Sequence, residues 1–118
     1  MTLLVHPYTR KQDGTFESVE TDYADRMAGF ESCRTDLWGH EAARSLGLVL
    51  LPSLANDDVY AEGADLDLLE TEVQTLLANR DRLAQATGYA ADYIESRCQN
   101  FLRAITQARA LCGGVYIG

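Results

Sequence analysis

Along the last third of the chain, apolar residues recur at the spacing of one helical face. Ile94, Cys98, Phe101, Leu102, Ile105, Ala108 and Cys112 follow the i, i+4, i+7, i+8, i+11 pattern. A second row, Tyr93, Arg97, Asn100, Ala104 and Leu111, runs beside it. A face that broad predicts a central helix with more than one neighbour. Asp92 is placed to accept from the free amides of its first turn, and Glu95 adds charge of the favourable sign. Arg103 and Arg109 suit the C-terminal half, where the helix dipole prefers cations. Gly113 is expected to take the left-handed conformation that ends a helix, with Gly114 easing the reversal. Val115, Tyr116 and Ile117 then read as a terminal strand that anchors the chain end.

Earlier segments are shorter. Leu3-Leu4-Val5 fits a first strand stopped by Pro7. Asp13-Gly14 is a turn dipeptide, and Phe16 and Val19 suit a return strand, so a hairpin from residue 2 to about 20 is expected. Tyr23 to Trp38 reads as a helix through Met27, Phe30, Cys33 or Arg34, Leu37 and Trp38, with Gly29 its weak point. His40 to Leu46 predicts a short helix ending at Gly47. Leu48 to Leu51 is a dense apolar run, a buried strand or irregular core, before Pro52. Asn56-Asp57-Asp58 marks a turn and Val59-Tyr60-Ala61 a strand ending at Glu62-Gly63. From Asp65 a helix is predicted, with Leu66, Leu69, Val73, Leu76 and Leu77 on one face. It either runs to Ala86 or breaks near Asn79, and Thr87-Gly88 closes it before the terminal helix, giving an antiparallel helix pair. No repeat or linker divides the chain, so residues 1–118 read as one domain. The expected class is α+β: a small, mainly antiparallel sheet of N- and C-terminal strands packed against two or three helices, with a long C-terminal helix followed by a terminal strand.

Composition changes this picture little. A chain of 118 residues, 47% apolar and 24% charged, is large enough to form a core without metal or disulfide support. Cys33, Cys98 and Cys112 are odd in number with no paired spacing, and Cys98 and Cys112 fall on the apolar stripe as small buried hydrophobes. That usage suits a reducing cytoplasm. No apolar run approaches the ~20 residues of a membrane span. The N-terminus lacks the basic start and long apolar core of a signal peptide. A cytoplasmic protein is therefore expected. A net charge of −8 argues against direct nucleic-acid binding and against an anionic membrane as partner.

Catalytic chemistry finds no spacing to stand on. His40-Glu41 opens like a zinc helix motif, but position 44 is Arg44 and the other histidine is His6. The cysteines add no ligand set, so no metal is implied. Gly113-Gly114 follows a helix instead of preceding one, which is wrong for a phosphate cradle. Ser18, Ser32, Ser45, Ser53 and Ser96 lie in no nucleophile-elbow context. Neither an enzyme nor a cofactor is implied.

Charge is segregated along the sequence. From Asp57 to Glu72 stand seven acids, Asp57, Asp58, Glu62, Asp65, Asp67, Glu70 and Glu72, and no Lys or Arg. From Ser96 onward there are three arginines and no acid. Acids are favoured at a helix start in any case. The functional alternative is a docking surface that steers a basic partner. Leu68 points away from the Leu66/Leu69/Val73 stripe among these acids, as an interface anchor would, and Tyr60 is a second candidate. The candidate partner-binding set is Asp57, Asp58, Tyr60, Glu62, Asp65, Asp67, Leu68 and Glu70.

The pattern Glu62-Gly63-x-Asp65-Leu66-x-x-Leu69-x-x-Glu72, followed by Arg97-x-x-Asn100-x-x-x-Ala104-Ile105-x-x-Ala108 and Gly113-Gly114-Val115-x-Ile117, resembles small bacterial immunity proteins of polymorphic and contact-dependent toxin systems. The likeness covers about residues 57 to 118. It implies a cytoplasmic, acidic inhibitor that docks on a basic toxin domain, often a nuclease. It transfers no functional residue. Two other classes compete with it. One is a homo-oligomeric interaction protein using Tyr93, Leu68 or the terminal strand, so that either monomer or homodimer is open. The other is a small ligand-binding domain with a pocket lined by Trp38, Tyr60, Arg97 and Asn100, in which Arg97 and Asn100 grip an anion.

Overall fold

The computed structural model describes residues 2–19 and 21–118. Met1 and Glu20, the first residue of the chain and the last of the expected hairpin, lie outside the described residues. The class is α+β, as the pattern predicts. Five strands, β1 (Thr2–Arg10), β2 (Phe16–Ser18), β3 (Met27–Phe30), β4 (Val59–Glu62) and β5 (Gly114–Ile117), pair antiparallel in the order β2-β1-β5-β4, with β3 also on β1. The helices are α1 (Tyr23–Arg26), α2 (Glu41–Arg44), α3 (Ala64–Ala78), α4 (Arg80–Thr87) and α5 (Ala91–Ala110).

Period-two alternation explains the two faces of the sheet. Leu3 and Val5 on β1, Val59 and Ala61 on β4, and Val115 and Ile117 on β5 are buried. Against them lie Leu66, Leu69, Val73 and Leu76 of α3 and Ile94, Cys98, Phe101, Ala104, Ile105 and Ala108 of α5. Hydrophobic burial on this one face is the main force holding helices to sheet. The terminal strand lies inside the sheet: Val5 pairs with Ile117 on one side and Val59 pairs with Ile117 on the other.

Several expectations need correction. β1 continues through Pro7 to Arg10. Pro7 stands opposite Val115, in a pair that exchanges no bonds, so β5 loses no donor; its carbonyl accepts from Val19 at 2.9 Å. The predicted helix Tyr23 to Trp38 exists only as the single turn α1 and a later π-helical turn at Arg34–Trp38, with β3 between them. Gly29 is the reason: its φ is +113°, and an added Cβ would meet Cys33 Sγ at 2.8 Å. Leu48 to Leu51 is irregular, the second of the two alternatives left open for it. The helix from Ala64 breaks at Asn79, taking the second of the two open alternatives.

The end of α5 also differs in detail. The left-handed residue is Cys112, φ 52°, not Gly113. Gly113 is required for closeness, because a Cβ there would collide with the Tyr8 carbonyl oxygen. Cys112 is exposed instead of lying in the core, whereas Cys33 and Cys98 are buried. Burial pushes the Cys98 thiol up to about 12. Asp92 makes no capping bond, and the N-cap position is Ala90. Among the described residues no helix is long and apolar enough to cross a membrane.

Candidate functional site: the open face of the sheet

With the helices on one face, the other face carries the alternate residues of every strand. His6 and Tyr8 on β1, Phe16 on β2, Tyr60 and Glu62 on β4 and Tyr116 on β5 share it by register. Their rings touch in a chain. Tyr60 lies 4.8 Å from Tyr116 and 5.5 Å from Phe16; Phe16 lies 4.9 Å from Tyr8, and His6 stacks 6.1 Å from Tyr116. Tyr60 is 51% exposed and Phe16 44%. Gly114 leaves room for the Tyr8 hydroxyl, since a Cβ there would meet it at 2.6 Å. That hydroxyl is buried without a partner of hydrogen-bond geometry. Burial first, then the neighbouring Glu62 carboxylate, pushes its pKa well up. His6 is shifted the other way, lowered by burial and then by Arg26.

Ion pairs frame the aromatic chain. Arg10 Nε donates to Glu62 Oε1 at 2.7 Å while its guanidinium lies 5.6 Å over the Phe16 ring. On the other side Arg34 Nη2 donates to Asp58 Oδ1 at 2.7 Å, and the Tyr116 hydroxyl donates to Asp58 Oδ2 at 2.7 Å. Arg34 also reaches Glu31 and the carbonyls of Leu54 and Asp57. These bonds hold the Asp58 carboxyl below the usual range, Arg34 chiefly and Tyr116 second, and push Tyr116 up to about 12. Arg10 likewise lowers Glu62.

The acid run therefore does not fold into a free field of charge. Asp58 and Glu62 are matched as described, and Arg109 clasps both Asp67 at 2.7 Å and Glu70 at 3.0 Å. Glu72 is buried and accepts from three successive backbone amides, Val49, Leu50 and Leu51, at 2.8 to 2.9 Å. Asp57 and Asp65 are exposed and have no ion-pair partner among the described residues. The candidate set divides between two surfaces. Asp58, Tyr60 and Glu62 belong to the open face and its rim, whereas Asp67 and Glu70 lie on the flank of α3 towards Arg109 of α5. Leu68, 40% exposed, lies one turn before Glu72. Glu72 in turn holds the backbone of the exposed Val49.

The alternative pocket of Trp38, Tyr60, Arg97 and Asn100 does not form. Trp38 is buried, donating its indole N–H to the Ala28 carbonyl at 2.9 Å. Asn100 is buried and donates to the carbonyls of Ala24 and Met27. Arg97 lies 4.5 Å over the Tyr93 ring, and Tyr60 is on the far face of the sheet. A cleft of about 360 Å3 is lined by Asp36, His40, Thr87, Gly88 and Tyr89. His40 Nδ1 there accepts from the Ala42 amide at 3.0 Å, a helix-capping bond that explains the residue without chemistry. Among the described residues no group of three His, Cys, Asp or Glu is placed to hold a metal.

Phe16, Tyr116, Tyr8 and His6 were not among the candidate residues drawn from the sequence. The available signal was the outward phase of strands already recognised: Tyr116 alternates with Val115 and Ile117, and Phe16 faces Arg10 across the hairpin. No family model, curated protein or solved structure matches the chain.

Proposed function

We propose that the protein acts by binding another protein through the open face of its sheet, and that the partner is a basic bacterial toxin domain which it neutralises by covering. The observation that carries the binding role is the exposed chain of aromatic rings, Phe16-Tyr60-Tyr116, bordered by Arg10 and Arg34. Tyrosine, phenylalanine and arginine are the side chains that dominate binding energy at protein interfaces. On a face without helices they form a patch of the kind that marks interaction sites. The toxin-directed part rests on the resemblance to immunity proteins, on the net charge of −8, and on Asp57 and Asp65, which flank β4 without ion-pair partners among the described residues.

Electrostatic support is narrower than the linear sequence suggests, because five of the seven acids are engaged within the chain. Recognition accordingly falls to the rings, with charge steering the approach. The test is co-purification with the product of the neighbouring gene, followed by the Asp57→Lys/Asp65→Lys variant. Slower association with an intact fold is expected, whereas an unchanged rate removes steering by these acids. Self-association through the same face is the second reading, favoured by the exposure of both Tyr60 and Phe16. Light scattering at two concentrations separates monomer from dimer.

A further inference from the structure

The sheet order ends at β4, and the hydrogen-bond phase tells which of its groups face outward. Leu4 and Gly118 exchange both backbone bonds, at 3.1 and 3.0 Å. In an antiparallel pair such exchanges alternate, so His6/Tyr116 and Tyr8/Gly114 are also the bonded pairs between β1 and β5. Val115 and Ile117 then turn their groups the other way, to Ala61 and Val59. Tyr60 and Glu62 are left with N–H and C=O directed away from β5. Among the described residues neither has a backbone hydrogen bond on that side.

We propose that the bound partner supplies an extended basic segment that pairs with this free edge of β4 and lengthens the sheet by one strand. This inference rests on the protein-binding reading above and names the form in which the partner binds. Main-chain groups of Tyr60 and Glu62 supply the pairing, as in other strand additions to sheet edges. Charge selects the occupant. The edge is bracketed by Asp57 and Asp65, both exposed and without an ion-pair partner among the described residues. A second copy of β4 laid antiparallel with Tyr60 opposite Glu62 would set its own Asp57 beside Asp65, a like-charge pairing that opposes self-assembly. A Lys- or Arg-bearing strand meets the opposite sign at both ends. Its outward cationic side chains would also come alongside the Tyr60 ring, as Arg10 does with Phe16 on the same face.

The probe is a blocked octapeptide of alternating Arg and Val, with a Glu/Val counterpart as control, added to the full chain. Amide hydrogen exchange at Tyr60 and Glu62 is the readout. The Arg peptide is expected to slow both amides at least tenfold and the Glu peptide to leave them unchanged. The Tyr60→Pro variant removes the outward donor at a position where an edge strand tolerates proline. It should abolish the effect, whereas Tyr60→Phe keeps it, with circular dichroism confirming both folds. Protection by neither peptide, or by both equally, overturns the proposal. The underlying reading fails separately. If the neighbouring gene product binds without altering these two amides, strand addition alone is wrong. If it does not bind while the Arg peptide does, the edge stands and the toxin reading falls.

Discussion

The ring of Tyr60 lies 4.8 Å from that of Tyr116, on the face of the sheet opposite α3 and α5. Tyr116 is fixed from below by its bond to Asp58, so it presents a firm backing to the more exposed ring. Tyr60→Ala should therefore change unfolding free energy by no more than about 0.5–1 kcal/mol, as for other exposed positions. Partner affinity should nevertheless fall at least tenfold. Urea unfolding and calorimetric titration measure the two effects on the same sample. A loss of stability equal to the loss of binding would mean that Tyr60 serves the fold.

Glu72 is a structural residue within an acid run that looks like surface. Its carboxylate is the acceptor for three amides of a segment with no regular structure of its own. Glu72→Ala leaves those amides unpaired beside the core and should cost about 3 kcal/mol or more, at 1–3 kcal/mol for an unsatisfied buried group. The urea midpoint should fall with the slope unchanged. A change below about 1 kcal/mol would show that water replaces the carboxylate.

Asn100 joins α5 to the α1–β3 segment by donating to the carbonyls of Ala24 and Met27 at 3.0 and 2.9 Å. Asn100→Ala should destabilise by about 1–3 kcal/mol. It should also raise hydrogen exchange in β3 before the rest of the sheet. Uniform exchange across the sheet would contradict this local role.

His6 gives the fold a pH dependence of definite sign. Its pKa is lowered in the folded state, by burial and by Arg26, while the unfolded chain keeps a value near about 6.5. Between the two values the unfolded state binds more protons, so stability is complete above about 6.5 and declines as pH falls below it. Asp58 and Glu62, whose values are also depressed, add their own decline only from about pH 4 downward. His6→Gln should flatten the stability profile just below about pH 6.5 while leaving the acid limb. An unchanged slope in that window would assign it to another group.

How far these features were legible differs by element. Val115 to Ile117 was readable because β-favouring residues follow a helix stop, and α3 because its leucines keep one phase. β3 was not, since Met27 and Phe30 are three apart, a spacing that fits a helical face. Only Gly29, with its positive φ, distinguished strand from helix. The acid run misled for a different reason. The arginines that pair with Glu62, Asp58 and Asp67 are 52, 24 and 42 residues away in sequence, so local charge counting could not find them. Glu72 was out of reach altogether, because nothing local marks a carboxylate as the acceptor for a distant loop. Tyr60 was recognisable from its place in a short strand, but its companions Tyr116 and Phe16 needed the strand register.

Calorimetric titration of the proposed partner, the purified product of the neighbouring gene, against the native chain and its Tyr60→Ala and Phe16→Ala variants, bears most directly on the role proposed for the open face. A one-to-one complex, weakened at least tenfold by each replacement with both variants still folded, is the predicted result. Absence of a complex, or the same Kd for all three chains, would contradict it.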